Sequence, residues 1–180
     1  MVGRARDGSG GRCSSHHGRV VRHGCPRHPR DRYPRVPPVT GAGAAITVRR
    51  RVAWNETDAA GHNHFSAAFR WLEEAEHLLF RCLGVEPALI DRIPRVHIEV
   101  DYADRLYFSD VIDVSVSVAR VGTSSCSFDF EVRKADGSRA ITGSYVIVHA
   151  SSTSSGSAAW PTAVSEALSR PQEFTRDHSA

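Results

Sequence analysis

The spacing of the apolar residues changes character once in this 180-residue chain, and that change limits the folds open to it. Between Ser66 and Leu83 the apolar residues recur every three or four positions, as in an amphipathic helix. One alternating, strand-like segment precedes this helix and four follow it, with no second long helical pattern. The order predicts an α+β domain, in which a five-stranded antiparallel sheet packs one face against one long helix.

The helical segment predicts its own buried face and its own end. Gly84 is well placed to stop it, since glycine adopts the left-handed conformation that closes many helices. Phe69 and Phe80 fall outside the apolar stripe, which predicts that other structure covers the helix flank. The stripe itself consists of Ala68, Trp71, Leu72, Ala75, Leu78, Leu79 and Cys82.

The strand-like segments alternate with period two. In the first, Ile46, Val48, Val52 and Trp54 share a face that Arg50 interrupts. Asp136-Gly137 is a strong hairpin signal before the last segment, 141–149.

Composition divides the chain into three parts. Residues 1–45 hold eight of the 14 glycines, five of the nine prolines and a formal charge of +7, which predicts a disordered tail. Residues 46–150 carry the patterned domain, with residues 46–180 at −4. Residues 151–180 are read as a Ser-rich linker, a short helix over 161–168 and a disordered C-terminal tail.

The charge and hydropathy exclude several classes of protein. The patterned part is mildly acidic, so nucleic-acid binding is not expected. Membrane insertion is not expected either, because no run approaches the roughly 18 apolar residues that a spanning helix needs. The chain also lacks a signal-peptide pattern, and a cytoplasmic location follows as the default.

The chemistry is concentrated where the first strand pattern ends and the helix begins, in the stretch Trp54-Asn55-Glu56-Thr57-Asp58-Ala59-Ala60-Gly61-His62-Asn63-His64-Phe65. A carboxylate, imidazoles and the unpaired N–H groups of a helix start would meet there, which suits polarising and cleaving a carbonyl compound. Asp58 has a plain alternative role as a turn carboxylate. Zinc bound by Glu56, Asp58, His62 and His64 is not expected, because their spacing is no recognised zinc signature.

The order of these features resembles the hotdog-fold thioesterases of the 4-hydroxybenzoyl-CoA thioesterase type. The matching residues are Asp58-Ala59-Ala60-Gly61-His62-Asn63-His64-Phe65 followed by Phe69-Arg70-Trp71-Leu72-Glu73, with Tyr102 to Val111 and Gly122 to Phe128 further on. Many members have Tyr-His or Asn-Asn where this chain has His64-Phe65, and Asn or Ser where it has Ala67. We therefore expect the polar groups that support Asp58, here Asn63 and His64, to be arranged differently from those of other members.

The resemblance implies an acyl thioester hydrolase, acting on an acyl-CoA or an acyl-carrier protein. Asp58 would serve as general base or as nucleophile, His62 and His64 would orient water or substrate, and Glu73 is the reserve acid. Glu56 is a further candidate for the working acid. The N–H groups of His64, Phe65 and Ser66 are candidate oxyanion donors. Substrate contacts are assigned to Gly61, Asn63, Phe65, Ser124 and Ser125.

The resemblance also implies an assembly and a requirement for no cofactor beyond the coenzyme A of the substrate. Hotdog domains pair into homodimers, and often tetramers, with each site between two subunits. The alternative function is a non-catalytic module that binds acyl thioesters.

Overall fold

The computed structural model describes residues 42–85, 87–152 and 155–179. Most of the predicted N-terminal tail lies outside these residues. The strands are β1 (Ala44–Arg51), β2 (Arg95–Tyr102), β3 (Val111–Val121), β4 (Ser125–Lys134), β5 (Arg139–Val148) and β6 (Gln172–His178). The helices are α1 (Ala67–Cys82), α2 (Pro87–Ile90) and α3 (Thr162–Ser169), and a 3-10 turn spans Trp54–Glu56.

The strands of the described residues form one sheet in the order β2-β5-β4-β3-β1-β6. The five predicted strands pair antiparallel throughout, with β1 on β3, β3 on β4, β4 on β5 and β5 on β2. An α+β architecture is therefore correct. The prediction of five strands is wrong, because β6 adds a sixth, parallel to β1.

Residues 172–178 form a strand, contrary to the predicted disordered tail. The short helix expected over 161–168 is present as α3, with Pro161 at its N-cap. Strand β6 then runs beside β1, from the pair Ala44 and Gln172 to the pair Arg50 and His178. The sheet edge that β1 would otherwise leave open is thus covered by the chain itself.

Helix α1, 16 residues long, packs its apolar stripe into the core of the sheet. Trp71 and Leu72 are buried as predicted. Phe80 is also fully buried and meets Phe128 edge to face at 6.4 Å between ring centroids, which confirms that other structure covers this flank of the helix. Glu76, which the sequence reasoning did not place, lies on this buried face. None of the described helices is long and apolar enough to cross a bilayer.

The end of β1 and the start of α1 are held together by a second connection, residues 103–110. Val52 N–H donates to the Asp110 carbonyl at 2.9 Å, and Ser109 N–H donates to the Val52 carbonyl at 2.9 Å. Ser109 adopts a φ of 71°, which a non-glycine residue rarely does. The stretch between Trp54 and Phe65 therefore lies between strand β1 and helix α1 in the chain, with this loop alongside it.

Candidate active site

A tight turn presents Asp58. The Gly61 N–H donates to the Asp58 carbonyl at 2.9 Å, and the Asp58 N–H donates to the His62 carbonyl at 3.0 Å. Gly61 has a φ of 81°, in the region that glycine enters at little cost. The predicted three-residue spacing of Asp58 and Gly61 is thus that of a single turn, which the hydrogen bond between them closes.

The Asp58 carboxylate keeps one oxygen available. Its Oδ1 accepts the Ala60 N–H at 2.8 Å, the bond expected of a turn carboxylate. No hydrogen bond from the described residues reaches Oδ2, and the side chain is only partly buried. Asp58 therefore has its structural role and an oxygen free for chemistry at the same time.

The two histidines of the turn adopt opposite tautomers. His62 Nδ1 lies 3.2 Å from the Asn63 carbonyl, which only accepts, so Nδ1 carries the proton and Nε2 has a lone pair. His64 Nδ1 accepts the Ser66 N–H at 3.3 Å and lies 2.8 Å from Ser66 Oγ, so its proton is on Nε2. In its neutral form His62 therefore presents a hydrogen-bond acceptor at Nε2, and neutral His64 presents a hydrogen-bond donor at Nε2.

The helix start offers fewer oxyanion donors than predicted. The His64 N–H donates to the Glu56 carbonyl at 2.8 Å, and the Ser66 N–H is engaged by His64. Neither N–H group is therefore free to act as an oxyanion donor, contrary to the prediction. The Phe65 N–H has no partner among the described residues, and it stands at the amino end of α1, where the helix dipole favours negative charge.

Asn63 joins the site turn to the loop 103–110 through both its side chain and its main chain. Its Oδ1 accepts the Leu106 N–H at 3.0 Å, and its own N–H donates to the Leu106 carbonyl at 2.7 Å. His62 pairs with Tyr107 in an antiparallel bridge. The loop 103–110 is therefore a wall of the site, which sequence reasoning missed because no local pattern marks the pairing.

Several large side chains around the turn are exposed. Trp54 is 76% exposed, Phe65 60% and Phe108 59%. Trp54 was predicted to share the buried strand face, but it lies in the 3-10 turn beyond β1. Rings at this exposure next to a carboxylate provide surface for a flat apolar ligand or for a neighbouring subunit.

Glu56 points away from Asp58 into the protein. The residue is 6% exposed, and its carboxylate is bonded to Arg50, Trp71 and Ala53. The suggestion that it is the working acid is not supported by this orientation. Among the described residues, no three side chains of metal-binding type converge.

The remaining predicted site residues lie elsewhere in the chain. Glu73 is six residues beyond Ala67, about 9 Å along the helix axis, and it pairs with Arg95 at 3.0 Å. Ser124 and Ser125 join β3 to β4 at the far end of β3 from the Asp58 turn, roughly 30 Å away by strand length. A single chain does not bring these serines to Asp58.

A family model described as the Thioesterase-like superfamily matches residues 52–168. A curated relative, 1,4-dihydroxy-2-naphthoyl-CoA hydrolase of Prochlorococcus marinus strain NATL2A, is 31% identical over 101 residues. That match covers 49% of this chain and 65% of the relative, so this chain spans just under two thirds of it.

Solved structures share the fold. A 1,4-dihydroxy-2-naphthoyl-CoA thioesterase from Synechocystis matches 69% of this chain and 95% of its own, with TM-score 0.64 and 18% identity. A 4-hydroxybenzoyl-CoA thioesterase, crystallised as an Asp-to-Asn variant with 4-hydroxybenzoyl-CoA, matches 69% of this chain and 98% of its own. Its TM-score is 0.62 and its identity 18%. These matches confirm the hotdog fold.

Proposed function

This chain belongs to the thioesterase-like superfamily, and on that premise we propose that it hydrolyses an acyl-CoA to a free acid and a thiol. The observation that carries the proposal is that neither Asp58 Oδ2 nor the Phe65 N–H has a hydrogen-bond partner among the described residues. The first is a carboxylate oxygen on the turn, and the second is a donor at the start of the helix, seven positions further along the chain. Thioester hydrolysis needs these two groups.

Asp58 acts in one of two ways. As a general base it takes a proton from water while the water oxygen adds to the thioester carbonyl, and the tetrahedral intermediate then breaks its C–S bond and releases the thiolate, which takes up a proton. As a nucleophile it adds to that carbonyl itself, expels the thiolate and leaves an acyl anhydride, which water then cleaves. Both routes place negative charge on the carbonyl oxygen, where the Phe65 N–H stabilises it. His62 and His64 orient the water or the leaving sulfur through the lone pair of one ring and the N–H of the other.

We propose an aromatic acyl group. The hydrolase from Prochlorococcus marinus is named for an aromatic acyl-CoA, 1,4-dihydroxy-2-naphthoyl-CoA. In this chain the rings of Phe65, Tyr107 and Phe108 stand exposed beside the turn and offer stacking surfaces. The reaction needs no cofactor beyond the coenzyme A of the substrate.

We propose further that two chains share each site. Strand β2 is one of the two edge strands of the sheet, and its Val96 is 60% exposed and its Ile98 37% exposed. Pairing of two such edges would continue the sheet from one chain to the other. It would also allow Ser124 and Ser125, remote from Asp58 in their own chain, to serve the site of the partner. A cytoplasmic location belongs to the same proposal.

A panel of thioesters tests the function. Release of free thiol is measured with benzoyl-CoA, 1,4-dihydroxy-2-naphthoyl-CoA, straight-chain acyl-CoAs and an acyl-carrier protein. We expect the highest kcat/KM with the aromatic CoA esters. Fastest turnover of the carrier protein would correct the substrate class. Tight binding of acyl-CoA without any turnover would identify a binding module and contradict the proposal.

A further inference from the structure

Arg50 is a charged residue on the apolar face of β1, and its guanidinium lies between the site turn and α1. Its Nη2 lies 2.6 Å from Glu56 Oε1, and its Nη1 lies 2.5 Å from Glu74 Oε2. The guanidinium carbon is 5.7 Å from the centre of the Trp71 ring. An arginine with 17% side-chain exposure needs such partners, because an unpaired charge at that depth is costly.

The carboxylate of Glu56 is fully engaged by three separate parts of the fold. Oε1 accepts from Arg50 on β1 and from Trp71 Nε1 on α1, the latter at 2.8 Å. Oε2 accepts the Ala53 N–H at 2.8 Å. Hydrogen bonds to an ionised group are about twice as strong as neutral ones. The side chain thus joins the sheet, the central helix and the first residues of the site turn.

The main chain of Glu56 connects to the other half of the site. Its carbonyl accepts the His64 N–H at 2.8 Å, immediately before Phe65. Asp58 follows Glu56 by two residues. Glu56 therefore lies two residues before Asp58, and its carbonyl is bonded to the segment that supplies the oxyanion donor.

We propose that Glu56 is a positioning residue that fixes the Asp58 carboxylate relative to the Phe65 N–H by anchoring the turn to Arg50, Trp71 and Ala53. The inference rests on the proposed function, because it assigns Glu56 a part in that reaction. Glu56 does not touch the substrate. Its loss is expected to reduce kcat and to leave KM nearly unchanged, since binding surfaces persist while the reacting groups lose their alignment.

Two isosteric variants make a matched pair. Glu56→Gln and Glu74→Gln each remove one carboxylate partner of Arg50, but only Glu56 holds the turn. A glutamine at position 56 offers one acceptor oxygen, so its NH2 group must face either the Ala53 N–H or the Arg50 and Trp71 donors. We expect kcat to fall about 100-fold in Glu56→Gln, and to change less than about twofold in Glu74→Gln, whose carboxylate is 40% exposed.

Hydrogen exchange supplies a readout independent of catalysis. The peptide spanning residues 53–66 should exchange faster in Glu56→Gln than in wild type, while peptides from β3 and β4 stay unchanged. If Glu56→Gln does not fold, Arg50→Lys takes its place. Lysine keeps the charge but cannot bridge Glu56 and Glu74 in the same way, so a smaller loss in kcat and a smaller gain in exchange are expected.

The outcomes separate the inference from the function. Absence of thioester cleavage by wild type rejects the proposed function, and exchange of the 53–66 peptide still decides whether Glu56 holds the turn. Equal kcat in Glu56→Gln and Glu74→Gln overturns the positioning role. A loss of kcat with wild-type exchange, together with loss of one limb of the pH profile, would make Glu56 a catalytic acid and also overturn it.

Discussion

Tyr102 Oη donates a hydrogen bond to the Phe65 carbonyl at 2.5 Å and so links edge strand β2 to the start of helix α1. Tyr102 is the last residue of β2, the strand with the exposed apolar side chains. Phe65 carries the N–H assigned to the oxyanion. A change in the position of β2 would therefore shift the main chain of Phe65 at the proposed site, because this hydrogen bond links them.

Replacing Tyr102 with Phe removes this bond and keeps the ring. A hydrogen bond of this kind is worth about 1 kcal/mol, or about fivefold in rate. We expect kcat to fall by up to that factor, and the free energy of unfolding by no more than about 1 kcal/mol. Steady-state kinetics on the preferred CoA ester measures the effect. An unchanged kcat would show that this hydrogen bond does not position the Phe65 N–H for the reaction.

Gly61 and Gly84 provide a matched test of the turn. Both have positive φ, 81° and 71°, and neither has an atom within 4 Å of an added Cβ. Alanine at either position should cost about 1–2 kcal/mol through backbone conformation alone. Urea unfolding should show similar losses in the two variants. Only Gly61→Ala should also lower kcat. An equal kcat in the two variants would show that the conformation of the Asp58 turn does not affect catalysis.

The elements that a local pattern defines were predictable, and those fixed by distant partners were not. The period of α1 and its end at Gly84 follow from residues within a few positions of each other. Strand β6 is largely polar and has no alternation, and it becomes a strand because the edge of β1 is available for pairing. Local propensity cannot supply that information.

The same distinction applies to the site. Asp58 and Gly61 form one local turn, so their spacing was informative. The loss of the His64 N–H as a donor depends on the Glu56 carbonyl, and the role of Asn63 depends on Leu106, 43 residues away. Glu76 could have been noticed, since it falls four residues after Leu72 on the buried stripe.

Glu76 gives the stability a specific pH dependence. Burial raises its pKa to about 7, against the opposing charge of Arg95, whose Nη2 lies 2.9 Å from Glu76 Oε1. Because the folded state holds this proton more tightly than the unfolded state, its stabilising effect is complete below pH 4.5 and is lost as pH rises to about 7. The change amounts to about 3 kcal/mol.

The Glu76→Gln variant isolates this contribution. The free energy of unfolding of wild type should fall relative to that of Glu76→Gln between pH 4.5 and pH 7 and then level off. Urea unfolding of both proteins across this range measures the difference. A difference that stays constant with pH would mean that Glu76 titrates normally in the folded protein.

The exposed apolar side chains of edge strand β2 predict assembly. Ile98→Arg places a guanidinium on β2, where the partner strand is proposed to lie, and should convert dimers to monomers. Thr175→Arg places the same group on the exposed opposite edge strand, β6, and should leave the assembly intact. Light scattering reports the mass of each. A wild-type monomer with full activity at nanomolar concentration would contradict both the shared site and the pairing.

The most direct test of the account is thiol release by Asp58→Asn, with Glu73→Gln as its matched control. Asparagine is nearly isosteric and keeps an oxygen for the Ala60 N–H, so the turn should persist. We predict a fall in kcat of about 10²–10⁴-fold in Asp58→Asn with acyl-CoA binding retained, and near wild-type turnover in Glu73→Gln. Wild-type turnover in Asp58→Asn, or abolished turnover in Glu73→Gln alone, would contradict the central claim and move the catalytic carboxylate to the helix.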